Sequence, residues 1–125
     1  LQSAVNAQVA AIFAATGQSC VAGSRLLIEA SIKDQFLEKL VERVQHIRVG
    51  LPNDMATEYG PLCTLRQREK IEQVVQASIQ QGAILLTGGQ ALDRDGFFMR
   101  QPFWTVVRHL RPIVLPQNCL DQCYR

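Results

Sequence analysis

The sequence predicts an α/β fold, a short parallel-type sheet packed with helices. Three observations carry that expectation. Apolar residues recur at helical spacing in three separate stretches. Two short continuous apolar runs, Leu26-Leu27-Ile28 and Ala83–Thr87, are too short for helices and suit strands buried on both faces. Gly17, Gly50 and Gly82 fall where the helical stretches stop. Helices alternating with strands argue a layered α/β arrangement.

In chain order, Val5, Val9, Ile12 and Phe13 place residues 3–16 in an amphipathic helix that Gly17 ends. Leu26–Glu29 reads as a strand. Ser31 then offers an N-cap with Asp34 three residues on, close to a capping box. The helix that follows carries Phe36, Leu37, Leu40, Val41, Val44 and Ile47 on one stripe and stops at Gly50. Residues 51–63, with Pro52, Asn53, Asp54, Gly60 and Pro61, form a loop. Thr64 and Gln67 repeat the capping pattern, and their helix buries Ile71, Val74, Val75 and Ile79 before Gly82 stops it. Ala83–Thr87 leads as a strand into Gly88-Gly89. Beyond Pro102 no clear period remains, although Val106-Val107 and Ile113-Val114-Leu115 read as possible short strands.

Composition narrows the function classes. A chain of 125 residues is one domain at most, and 47% hydrophobic content is enough for a core. The 13 basic and 11 acidic residues are interspersed, with a net charge of +2, so no nucleic-acid partner is expected. No apolar run has the length of a membrane-spanning helix, so no membrane partner is expected either. Leu1-Gln2-Ser3-Ala4 does not open a signal peptide, and the missing initiator methionine points to a fragment or processed product. Cys20, Cys63, Cys119 and Cys123 fit no zinc pattern, and two thiols at Cys119 and Cys123 make a poor metal site; no metal is expected. So few cysteines in an apolar chain suit a reducing, cytoplasmic setting.

Chemistry concentrates in Gly17-Gln18-Ser19-Cys20-Val21-Ala22-Gly23-Ser24-Arg25. One cysteine sits in a glycine-flanked loop between a helix and a strand. A thiol held in such a turn can face a cleft while backbone N–H groups point at a bound oxyanion, as covalent acyl transfer requires. The plain alternative is a small buried cysteine in a tight turn.

The segment Phe13-Ala14-Ala15-Thr16 followed by Gly-Gln-Ser-Cys-Val-Ala-Gly-Ser-Arg resembles the active-site cysteine segment of the NAD(P)-dependent aldehyde dehydrogenases. The similarity continues through Leu51-Pro52, Gly60-Pro61-Leu62 and the helix from Thr64. It persists to Gly88-Gly89 and fades after Gly96-Phe97-Phe98. The resemblance implies that residues 1–102 are a fragment of that family's catalytic domain and that 103–125 are a divergent tail. The family usually continues here with Glu-(Ile/Leu)-Phe-Gly-Pro, which is missing; a frameshift or truncation upstream of that motif would produce such a tail.

By the same resemblance, Cys20 is the nucleophile. Its thiolate attacks an aldehyde, hydride passes to the nicotinamide, and water hydrolyses the resulting thioester to a carboxylic acid. Gln67 and Lys70 align with family positions near the cofactor ribose. Gln67 also has a structural explanation at N3 of its capping box, and Lys70 that of a solvated helix lysine. Arg25 either pins the loop or simply ends a turn at the surface. The family's glutamate base and oxyanion-hole asparagine should precede Leu1. Glu29, Glu38 and Glu42 match no catalytic position, and no Gly-x-Gly-x-x-Gly turn occurs. The expectation is NAD or NADP in the complete enzyme and none bound by this chain, which would be inactive alone. The alternative is a non-catalytic, truncated α/β domain that self-associates as a homodimer or higher oligomer.

Overall fold

The computed structural model describes residues 1–105. Three helices and two strands follow in order: α1 (Gln2–Phe13), α2 (Lys33–Gln45), α3 (Leu65–Gln80), β1 (Ile84–Thr87) and β2 (Phe103–Thr105). Short 3₁₀ turns occupy Ala14–Gly17 and Ala30–Ile32. Val106-Val107, Ile113–Leu115, Cys119 and Cys123 lie outside the described residues. No helix among the described residues is long and apolar enough to cross a membrane.

The core forms between α1 and α2. Val5, Val9 and Phe13, four apart on α1, meet Phe36, Leu40 and Val44, four apart on α2, and Ile47 and Tyr59 close the cluster. Val5 and Leu40 are fully buried. Spacing by four puts each trio on one face, as the periodicity predicts. α2 ends at Gln45 rather than at Gly50. Beyond it the chain turns extended, and Val49 pairs in parallel with Tyr59, with Gly50 N–H donating to the Tyr59 carbonyl at 3.0 Å.

The loop between α2 and α3 is fastened to α2 by charge. Glu58 meets Arg43 at 2.7 Å and Arg48 at 3.4 Å. The hydrogen bond from Arg43, then that from the Arg48 backbone, holds the Glu58 carboxyl below its usual range.

The two helix starts differ. At α3, Thr64 is extended and its Oγ1 accepts the Gln67 backbone N–H at 3.2 Å, as its capping pattern predicts. At α2 the expected Ser31 cap does not form. The 3₁₀ turn comes first, Ile32 takes the cap position, and Ser31 Oγ donates to Glu29 Oε1 instead. α3 closes on Gly82, whose φ is +91°; its N–H donates to the Ile79 carbonyl and the Ala83 N–H to that of Ser78. That pair of bonds is the glycine-dependent Schellman end. Within α3, Val75 and Ser78 are buried while Ile79 is 41% exposed, so the inward stripe runs one position short of the expected one.

The strands depart further from expectation. Ala83–Thr87 supplies β1, but β1 pairs with β2 antiparallel, with Ile84 opposite Thr105, Leu85 opposite Trp104 and a bulge before Thr87 opposite Phe103. The intervening chain returns directly, with Ala91 bridged to Met99, and a direct return reverses strand direction where a helical crossover would preserve it. β1 is not buried on both faces, since Ile84 is 51% exposed. Leu26–Ile28 is not a strand: no ladder includes it among the described residues. Leu26 and Ile28 pack on the core while Leu27 is 95% exposed.

Candidate active site at the Cys20 turn

The chain leaves α1 through an unusual backbone. Ala15 (φ 49°, ψ 38°), Thr16 (φ 59°, ψ 28°) and Gly17 (φ 67°) are consecutive left-handed residues. Glycine adopts this region freely, whereas a β-branched threonine does so only under constraint. The reversal turns the chain back along α1. Ser19–Ala22 then forms a tight turn closed by the Ala22 N–H to the Ser19 carbonyl at 3.1 Å, with Cys20 at its corner. Gly23 ends the loop against α1: its N–H donates to the Ala11 carbonyl at 2.9 Å, and Gln8 Nε2 donates to its carbonyl at 3.3 Å. A Cβ on Gly23 would stand 3.1 Å from that of Ala11.

Cys20 is exposed and free of any disulfide. Its exposure removes the plain reading of a buried small hydrophobe. Of the two readings of Arg25, the structure fits the surface one: it is exposed and makes no hydrogen bond or ion pair among the described residues, and Gly23 and Gln8 tie the loop instead.

A second thiol reaches the same loop. Cys63, also exposed, donates to Gln18 Oε1 at 3.1 Å, two residues before Cys20. This contact joins the Cys20 loop to the start of α3. Gln67 and Lys70 are half-buried on the first two turns of that helix. The structure therefore brings the approach to α3 against the Cys20 loop, and the Gln67 backbone N–H is the donor that Thr64 caps.

A dinucleotide pyrophosphate needs a glycine turn opening a helix. α3 opens instead on Pro61-Leu62-Cys63-Thr64, and Gly88-Gly89 leads into a loop. No helix among the described residues opens on such a turn. The pocket beside Phe13, Tyr59, Gly88 and Gln101 is about 20 Å³, room for about one water. No cluster of His, Cys, Asp and Glu fit for a metal occurs among the described residues.

Tyr59 and Gln101 were not singled out in the sequence. Tyr59 is 2% exposed, and its hydroxyl reaches the Thr16 carbonyl oxygen at 3.1 Å and Gln101 Oε1 at 2.6 Å. Neither contact has a periodic signature, because each joins residues more than forty positions apart.

Comparison with known proteins follows the same segments. The model of the aldehyde dehydrogenase family matches residues 1–114. The chain is 72% identical over 98 residues to the (Z)-2-((N-methylformamido)methylene)-5-hydroxybutyrolactone dehydrogenase of Acinetobacter baylyi, covering 78% of this chain and 20% of that protein. It is 43% identical over 102 residues to the betaine aldehyde dehydrogenase of Bacillus subtilis, covering 78% and 21%. A crystal structure of a mutant apo betaine aldehyde dehydrogenase from Staphylococcus aureus matches with a TM-score of 0.81 and 35% identity, over 85% of this chain and 22% of that one. The chain spans about a fifth of the length of these relatives.

Proposed function

As this chain belongs to the aldehyde dehydrogenase family and has the fold of part of its catalytic domain, we propose that the complete protein oxidises an aldehyde to a carboxylic acid with NAD or NADP, and that Cys20 is its nucleophile. Support comes from the Cys20 turn: an exposed thiol at a corner whose flanks are tied to α1 and to the approach to α3. The thiol proton leaves first, since the thiolate is the attacking form. Sγ then bonds to the aldehyde carbon, and the C=O π pair moves onto oxygen. The Cys20 backbone N–H is the donor this chain would offer that oxyanion, to be completed by groups outside it. Accepting hydride is the chemistry a nicotinamide dinucleotide supplies when bound. Hydrolysis of the thioester needs a carboxylate with a tuned pKa; the family resemblance puts that glutamate before Leu1, and Glu29, Glu38 and Glu42 match no such position.

Alkylation with iodoacetamide tests the assignment. Cys20 should react faster than Cys63 in the folded chain, and a small aldehyde should protect Cys20 alone. Equal rates, with no protection, would remove Cys20 from the role.

A second reading is compatible with the first: the chain by itself self-associates. Leu27 is 95% and Val21 85% exposed, beside an extended segment outside any ladder among the described residues. Such a segment favours pairing with a second copy. Light scattering at micromolar concentration should give about twice the chain mass. A single species at the mass of one chain would rule this out.

A further inference from the structure

We propose that Tyr59 is a positioning residue for Cys20, its hydroxyl clamping the left-handed turn from which the thiol is presented. The inference rests on the reading of Cys20 as nucleophile. Left-handed backbone is unfavourable for residues with a Cβ, and Ala15 and Thr16 adopt it in succession. Strained backbone of this kind persists only where its surroundings hold it.

What holds it is visible around Thr16 and Gly17. The Tyr59 hydroxyl lies 3.1 Å from the Thr16 carbonyl oxygen and 2.6 Å from Gln101 Oε1. Gln101 in turn backs Gly17, where an added Cβ would stand 3.2 Å from its Nε2. The Tyr59 ring is itself fixed, edge-on to Phe13 at 6.1 Å, with its backbone bridged to Val49. A hydroxyl in an apolar cluster is costly unless it bonds, so phenylalanine would serve packing alone equally well. The hydroxyl has one proton to donate, and the two oxygens within its reach belong to the strained turn and to the residue that backs it. Cys20 lies four residues past Thr16 and three before Gly23, the other anchor of the loop. Slack at the first anchor therefore lets the turn that carries the thiol shift as a unit.

The test is Tyr59→Phe in the full 125-residue chain, which keeps the ring and removes the clamp. Iodoacetamide alkylation of Cys20 is followed from about pH 6 to pH 10, across the usual thiol range. The expected result is a Cys20 rate about 3- to 10-fold below the parent across this range, with the Cys63 rate unchanged. Ile47→Val, which trims the same core and leaves the clamp intact, should keep the parent profile. Tyr59→Phe rates superimposable on the parent, an equal loss at Cys63, or an equal loss in Ile47→Val, would overturn the proposal. Should Tyr59→Phe lose its helical circular dichroism, Gln101→Leu removes the clamp from the other side and is read by the same criteria. Failure of the nucleophile assignment is seen separately, as equal alkylation of Cys20 and Cys63 in the parent chain; the variant-to-parent ratio at Cys20 decides the clamp in either case.

Discussion

Cys20→Ala, made in the complete protein that carries this segment, is expected to lower NADH formation from an aldehyde by at least about three orders of magnitude. On the proposed role no other group in the turn can take over. Ser19 Oγ is turned toward the Val21 N–H at 3.4 Å, and a hydroxyl near neutral pH is a far weaker nucleophile than a thiolate. Cys63 is committed to Gln18 on the α3 side of the loop. The loss should fall on kcat, because the substitution removes a bond made during reaction and leaves the surrounding surface intact. The 125-residue chain by itself should show no steady turnover in the same assay, because the proposed hydrolytic base and cofactor cradle lie outside it. A Cys20→Ala enzyme retaining a tenth of the parent kcat would end the assignment, and cysteine-dependent NADH formation by the isolated chain would end the division of labour.

What the sequence made legible is what a few neighbouring residues decide among themselves. Thr64 caps α3 because its own hydroxyl reaches the N–H three residues on. Gly82 closes that helix because the closing bonds need its left-handed backbone. The α1 and α2 faces follow from spacing by four, and the Cys20 loop stands between glycines as its pattern suggests. Illegible were outcomes settled by distant partners. Leu26–Ile28 has strand composition, but a strand needs a neighbour, and none pairs with it among the described residues. Ser31 had a local choice between the helix and Glu29, and the 3₁₀ entry gave it to Glu29. The antiparallel pairing of β1 depends on a direct return through residues 88–102 that carries no apolar period. Tyr59 joins the core and the Cys20 loop through contacts with Phe13, Thr16 and Gln101, all remote in sequence.

Gly88→Val is expected to cost about 3–5 kcal/mol, a large part of the stability of a domain this size. Two effects add at this position. Gly88 has φ +74°, a conformation that costs a residue with a Cβ about 1–2 kcal/mol and a β-branched one more. An added Cβ would also overlap the Gln101 carbonyl oxygen, a backbone atom that cannot swing aside as a flexible side chain would. Relief would require separating the two segments, and the adjacent Gly89 N–H to Arg100 carbonyl bond, at 2.8 Å, holds them together. Gly60→Ala is the matched control. There φ is not left-handed, and the neighbouring atom is Thr16 Oγ1 at an ordinary 3.5 Å, so its effect should stay within about 0.5 kcal/mol. Urea unfolding followed by circular dichroism separates the two, with Gly88→Val lowering the midpoint at unchanged slope. The consequence extends to the thiol, because the same Gln101 supports Gly17 and accepts from Tyr59. Gly88→Val chains that remain folded should therefore alkylate Cys20 at the lowered rate expected of Tyr59→Phe. A Gly88→Val midpoint equal to that of Gly60→Ala would mean that residues 88 and 101 approach less closely than described, and that the support of the Cys20 loop lies elsewhere.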